Sequence, residues 1–92
     1  MPTLELHGFA PDACDRLVMD VRGLLEDLPY RGSVVFDTPR MGGRVLNWEG
    51  AEQPFIRVCS RSQERLDELR GRLTRFADVE TLLIGFFPRA VG

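Results

Sequence analysis

Apolar and polar positions alternate from the first residues of the chain. Thr3 to Phe9 places Leu4 and Leu6 on one face and Thr3, Glu5 and His7 on the other, which predicts a half-buried strand ending at Gly8. The period then changes. Leu17, Val18, Val21, Leu24, Leu25 and Leu28 fall at helical spacing and form one apolar stripe. Pro11 and Asp12 suit the first turn of that helix, since proline fits the first helical position and an acid complements the positive end of the dipole. Pro29 stops it, Arg31-Gly32 turns the chain, and the β-branched run Ser33–Asp37 reads as a second strand.

Residues 38–53 break every period. Pro39 and Gly42-Gly43 mark a loop, Val45–Trp48 reads as a possible short strand, and Glu49-Gly50 as a turn. Loops of this length in compact domains usually carry function or lack order. Phe55–Cys59 is the third strand, with Ile56 and Val58 opposite in direction to Phe55, Arg57 and Cys59. Ser60 with Gln63 three residues on fits a capping box, and the helix after it carries Leu66, Leu69, Leu73 and Phe76 on one side. Val79–Phe87 closes the pattern as a fourth strand ended by Pro88. Its segment Leu82–Phe87 is apolar on both alternating faces, so it needs cover beyond two helices, and a subunit interface is the obvious source. The order is β-α-β, a loop, then β-α-β. That predicts one α+β domain over residues 1–92, a four-stranded mixed sheet with both helices on one face.

Composition narrows the function classes. With 43% apolar and 28% charged residues the chain has the makings of a packed core. A net charge of −2 gives no overall pull towards nucleic acid. No apolar run approaches the ~20 residues of a membrane span, and the N-terminus lacks the pattern of a signal peptide. Cys14, Cys59 and the single His7 have no metal-ligand spacing, so neither a metal nor a cofactor is expected, and a reducing cytoplasmic setting is the default. All twelve basic residues are arginine. With no lysine for a Schiff base, any amine chemistry falls to the N-terminus. There, Pro2 precedes the first strand directly. Freed of Met1, it would carry a secondary amine at a fixed point. Unperturbed α-amino groups titrate near ~8, and burial or a nearby arginine lowers that towards the pH at which a base works best.

Met1-Pro2 leading into a strand, the paired β-α-β layout and the junction Arg57-Val58-Cys59-Ser60-Arg61-Ser62-Gln63-Glu64 together resemble the tautomerase superfamily. That superfamily includes 4-oxalocrotonate tautomerase, malonate semialdehyde decarboxylase and macrophage migration inhibitory factor. Within it the chain looks closest to a bacterial subgroup of unassigned function, and the likeness runs over about residues 2–87. The resemblance implies a homo-oligomer, a trimer being favoured, with sites near subunit boundaries. It implies Pro2 as the base that moves a proton between enol and keto forms of a 2-oxo acid, without a cofactor. By position Arg61 and Arg57 match arginines that hold substrate carboxylates, a role suited to the planar guanidinium fork. The chain departs from the pattern in having no arginine in its second strand and little sequence after its fourth. Retention of Met1 would turn the Pro2 amine into an amide.

Each candidate also has a plain reading. Arg61 lies where a strand passes into a helix N-terminus, favourable to anions but equally a place for a solvated arginine. Arg57 is either a site residue or one side of an interface salt bridge. Trp48 and Phe36 are possible pocket walls, although packing the loop down would use Trp48 as well. His7 fits a surface or interface position, Cys14 a small packed residue, and Arg40 and Arg44 around Gly42-Gly43 lack the strand–loop–helix context of a phosphate loop. Three expectations follow: a tautomerase-like enzyme acting on a small carboxylate-bearing molecule, a non-catalytic oligomeric binder of the same fold, or a ferredoxin-like interaction module. Strand pairing separates the last from the others. The first and third strands are parallel neighbours in a ferredoxin-like sheet, whereas the first and second are in a tautomerase-like one.

Overall fold

A computed structural model gives the fold and describes residues 2–38 and 43–85. Met1, the loop residues Pro39, Arg40 and Gly42, and the end of the expected fourth strand with Phe86, Phe87 and Pro88 lie outside the described residues.

The elements run β1 (Thr3–His7), α1 (Pro11–Leu24), a 3₁₀ turn (Arg31–Ser33), β2 (Val35–Asp37), β3 (Phe55–Ser60), α2 (Gln63–Leu73) and β4 (Asp78–Leu83). The four strands form one mixed sheet in the order β2-β1-β3-β4. β1 pairs parallel with β2, β3 pairs parallel with β4, and the central pair β1–β3 is antiparallel, with Thr3 opposite Cys59 and Glu5 opposite Arg57. An antiparallel β1–β3 pair excludes the ferredoxin-like alternative. Each β-α-β unit thus makes its own parallel pair, and the two units meet back to back at the sheet centre.

Leu4, Leu6, Ile56 and Val58 point to the same side of the sheet. They form the core with Cys14, Leu17, Val21, Leu25 and Leu28 from the first helical segment and Leu66, Leu69 and Leu73 from α2. Both helices therefore cover one face, and period 2 in the strands meets period 3.6 in the helices across a single apolar layer. The expected stripe survives, but α1 stops at Leu24, four residues before Leu28. Residues 25–27 continue as a turn, and the Leu28 N–H donates to the Leu25 carbonyl (3.1 Å). Pro29 disfavours the α conformation at Leu28, so the last turn tightens while Leu25 and Leu28 keep their places in the core. Arg72 ties this end to the second unit, with a two-pronged contact to Asp27 (2.6 and 3.1 Å) and a bond to the Leu24 carbonyl (3.2 Å).

Two other boundaries move for local reasons. The second strand begins at Val35, because both the amide and the hydroxyl of Ser33 donate to the Tyr30 carbonyl and hold Arg31–Ser33 in a 3₁₀ turn. The capping box expected at Ser60 and Gln63 does not form. β3 runs on through Ser60, which pairs opposite Leu83, and the helix start moves two residues along. Ser62 is the cap, its hydroxyl accepting the Arg65 N–H (3.3 Å), while buried Ser60 accepts the Ser62 N–H (3.1 Å). Within the long loop, a single Leu46–Glu52 bridge replaces the possible strand.

Candidate functional site

The register of the central pair places the residues singled out by sequence. Because Thr3 faces Cys59, Pro2 falls opposite Ser60 and one position from Arg61, at the end of the sheet where β3 turns into α2. Pro2 is fully buried, and its carbonyl accepts the Val35 N–H (3.0 Å), so the start of β1 is pinned between β2 and β3. Pro2 and Arg61 thus lie at the same end of the sheet, Pro2 buried and Arg61 exposed.

Arg57 is not with them. Three positions further along, on the face the helices leave open, it shares one polar cluster with Glu5, His7, Cys59 and Glu80. Glu5 is the hub. Its Oε1 accepts from His7 Nε2 (2.7 Å) and from Arg57 Nη1 (3.5 Å), and its Oε2 accepts from the Cys59 thiol (3.4 Å). The second arm of Arg57 reaches Glu80 (3.3 Å). Phe55 closes the group, stacked on the His7 ring (4.8 Å between centroids) with the Arg57 guanidinium 5.4 Å from its own centroid. The His7 bond, opposed by burial and aided by the Cys59 thiol and the Arg57 charge, holds the Glu5 carboxyl below the usual glutamate range. Burial, and then the Glu5 carboxylate, push the Cys59 thiol up to about 11. A thiol so raised is a poor nucleophile at neutral pH. An arginine already shared by two carboxylates has little left for a third, so Arg57 works here as the crosslink of three strands.

The remaining candidates lie apart. Phe36 points to the helix side of β2 and lines a cleft of about 530 Å³ with Val18, Arg22, Leu25, Arg31 and Val34. Trp48 is not among the residues that line this cleft. It stands 97% exposed at the tip of a turn. Sequence reading put Glu5 on a polar face without marking it as a hub, because its partners on β3 come close only through register. It named Phe36 as a pocket wall but not the rest of the cleft, which is assembled from α1, the 3₁₀ turn and β2. The spacing of Val18, Arg22 and Leu25 on one helix face was the sequence trace of that remaining wall. Among the described residues no three His, Cys, Asp or Glu side chains converge as a metal site requires, and no helix is long and apolar enough to cross a membrane.

No protein-family model matches the chain, and no curated protein matches it significantly. Solved structures do share its fold. One is a domain of unknown function (DUF1904) from Sebaldella termitidis, at a TM-score of 0.59 and 15% identity, with 99% of this chain aligned to 98% of that one. Another is a protein of unknown function from Vibrio cholerae, at a TM-score of 0.51 and 18% identity, covering 99% of this chain and 82% of the other. Identities this low speak for the fold alone: the chain is a small α+β protein similar in architecture to bacterial proteins whose function is unassigned.

Proposed function

We propose that the chain, once Met1 is removed, is a cytoplasmic, cofactor-free keto–enol isomerase of small 2-oxo acids that works as a homo-oligomer, a trimer being favoured. The observation that supports the reading is the register of the central strand pair, which sets buried Pro2 at the same end of the sheet as the β3–α2 junction that carries Arg61. Burial around Pro2 disfavours a charged amine, which lowers its pKa towards neutrality. The free amine takes the enol O–H proton as the carbonyl forms. The resulting ammonium then returns a proton to C3 of the acid, so the amine is regenerated. Arg61 holds the carboxylate of the substrate. Arg57, bound to Glu5 and Glu80, stabilises the sheet behind this site, and the exposed Leu82, Leu83 and Ile84 at the end of β4 offer a surface for neighbouring subunits.

One observation favours a second reading. Pro2 has almost no exposed surface, so a substrate must displace its cover to reach the nitrogen. A chain in which that cover is permanent is a non-catalytic oligomeric binder of the same fold. Intact mass of untagged protein, followed by ketonisation of phenylenolpyruvate, decides between the two. The isomerase reading expects a mass short by one methionine. It expects Pro2→Ala to lower kcat/KM at least ~100-fold, the low end for a general base, and Arg61→Ala to act mainly on KM. Retained Met1 without turnover leaves the binder, whereas turnover untouched by Pro2→Ala removes Pro2 as the base.

A further inference from the structure

The turn that carries Trp48 is held from several sides. Asn47 exchanges bonds with Ala51, its N–H donating to the Ala51 carbonyl (2.9 Å) and its Oδ1 accepting the Ala51 N–H (3.0 Å). Gly50, at φ +86°, donates to the Asn47 carbonyl (3.0 Å), and below them Gln53 N–H meets the Val45 carbonyl while Arg44 pairs with Glu52 (3.0 Å). A structure this constrained around a fully solvated indole is preorganised, and a large aromatic on a rigid support is the usual anchor of a protein interface. The acid Glu49 follows Trp48 directly and is exposed.

At the opposite edge of the sheet lies its complement. The cleft between α1 and β2 has an apolar floor of Val18, Leu25, Val34 and Phe36, and a rim carrying Arg22 and Arg31 against the single acid Glu26. Arg31 leans on Glu26 (3.9 Å), while Arg22 has no ion pair among the described residues. Gly32 opens the wall, since a Cβ there would meet nothing within 4 Å. The cleft is roomy enough for an indole, and its spare positive charge matches an acid beside that indole. It cannot be filled by the same chain's Trp48. The turn rises from the starts of β3 and β4, whereas the cleft borders β2, and β1 lies between.

We propose that Trp48 of one copy inserts into the α1–β2 cleft of a second copy, with Glu49 meeting Arg22. Knob and hole occupy different surfaces of the chain, so the contact is head-to-tail and closes into a ring when its rotation allows. The inference rests on the oligomeric part of the reading above and is independent of the chemistry at Pro2.

Trp48 is the sole tryptophan, so intrinsic fluorescence reports the contact directly. Emission and acrylamide quenching are followed from nanomolar to high micromolar protein, alongside mass by light scattering. Assembly is expected to blue-shift and protect Trp48. Trp48→Ala and Gly32→Phe are expected to weaken assembly about 30-fold or more, as loss of an interface anchor does. Glu49→Arg should weaken it less, with partial rescue on adding Arg22→Glu. Circular dichroism checks that these surface variants fold. An assembled protein whose Trp48 stays solvated, or whose assembly ignores Trp48→Ala, overturns this contact and leaves the oligomer. A chain that stays monomeric at all concentrations overturns both, and uptake of indole-3-acetate by that monomer would make the cleft a small-molecule site instead.

Discussion

Replacing Glu5 with glutamine tests the hub of the open sheet face while keeping its shape. Glu5 is only 22% exposed at the side chain and accepts from three donors on two strands. Hydrogen bonds to a charged group contribute ~1.5–3 kcal/mol each when fully formed. Two of these are long, Glu80 still holds Arg57 after the change, and glutamine keeps an acceptor. A net loss of about 1–2 kcal/mol at pH 7 is therefore expected, and in a domain of this size each kcal/mol moves Tm by about 4–8 °C. The pH dependence has a definite sign. The folded carboxyl titrates below its unfolded value, so its stabilisation is fully present above the unfolded glutamate pKa of about 4.3. It is lost as pH falls through the folded value, where a neutral glutamic acid resembles glutamine. Urea denaturation of both proteins at one fixed concentration, from pH 7 down to pH 2.5, gives the difference directly. The gap should be largest at pH 7 and close at the acid end. A gap that stays constant with pH, or its absence at pH 7, would refute the role of Glu5 as an ionised hub.

Two further outcomes follow from the same geometry. With its thiol pushed up to about 11, Cys59 is about one-thousandth thiolate at pH 8, so iodoacetamide should label the folded chain there very slowly and the unfolded chain readily. Rapid labelling of native Cys59, mapped by peptide mass, would contradict its burial. Gly8 and Gly50 both have positive φ, but only at Gly8 would a Cβ strike neighbours: Val45 at 3.0 Å and the Pro54 backbone at 3.2 Å. Gly50→Ala should cost about 1 kcal/mol of backbone strain, while Gly8→Ala adds the clash and should cost at least about twice that by urea denaturation.

Much of the architecture is legible from periodicity because burial is one-sided. Leu4 and Leu6, or Ile56 and Val58, need a single apolar partner layer, and Leu17, Val21, Leu66, Leu69 and Leu73 supply it at helical spacing. Element order, element type and the shared helix face all follow from that requirement. Boundaries are less legible, since neighbours decide them. Ser60 reads as a helix cap in isolation, and becomes the last residue of β3 because Leu83 lies ready to pair with it.

The chain's own pattern of apolar residues and breakers determined two β-α-β units, one sheet and a core on one side. It also marked Pro2 and Arg61 as residues worth watching. Tertiary structure decided which units pair and in which direction, and hence that Pro2 shares one end of the sheet with Arg61 while Arg57 is drawn to Glu5 and Glu80. It decided as well that Phe36 lines a cleft and that Trp48 is lifted clear of the surface. The physical reason is range. Alternation and helical stripes are set by contacts a few residues apart, whereas register and loop placement arise from pairs many residues apart. Whether Glu5 meets Arg57 is settled only when the strands themselves meet.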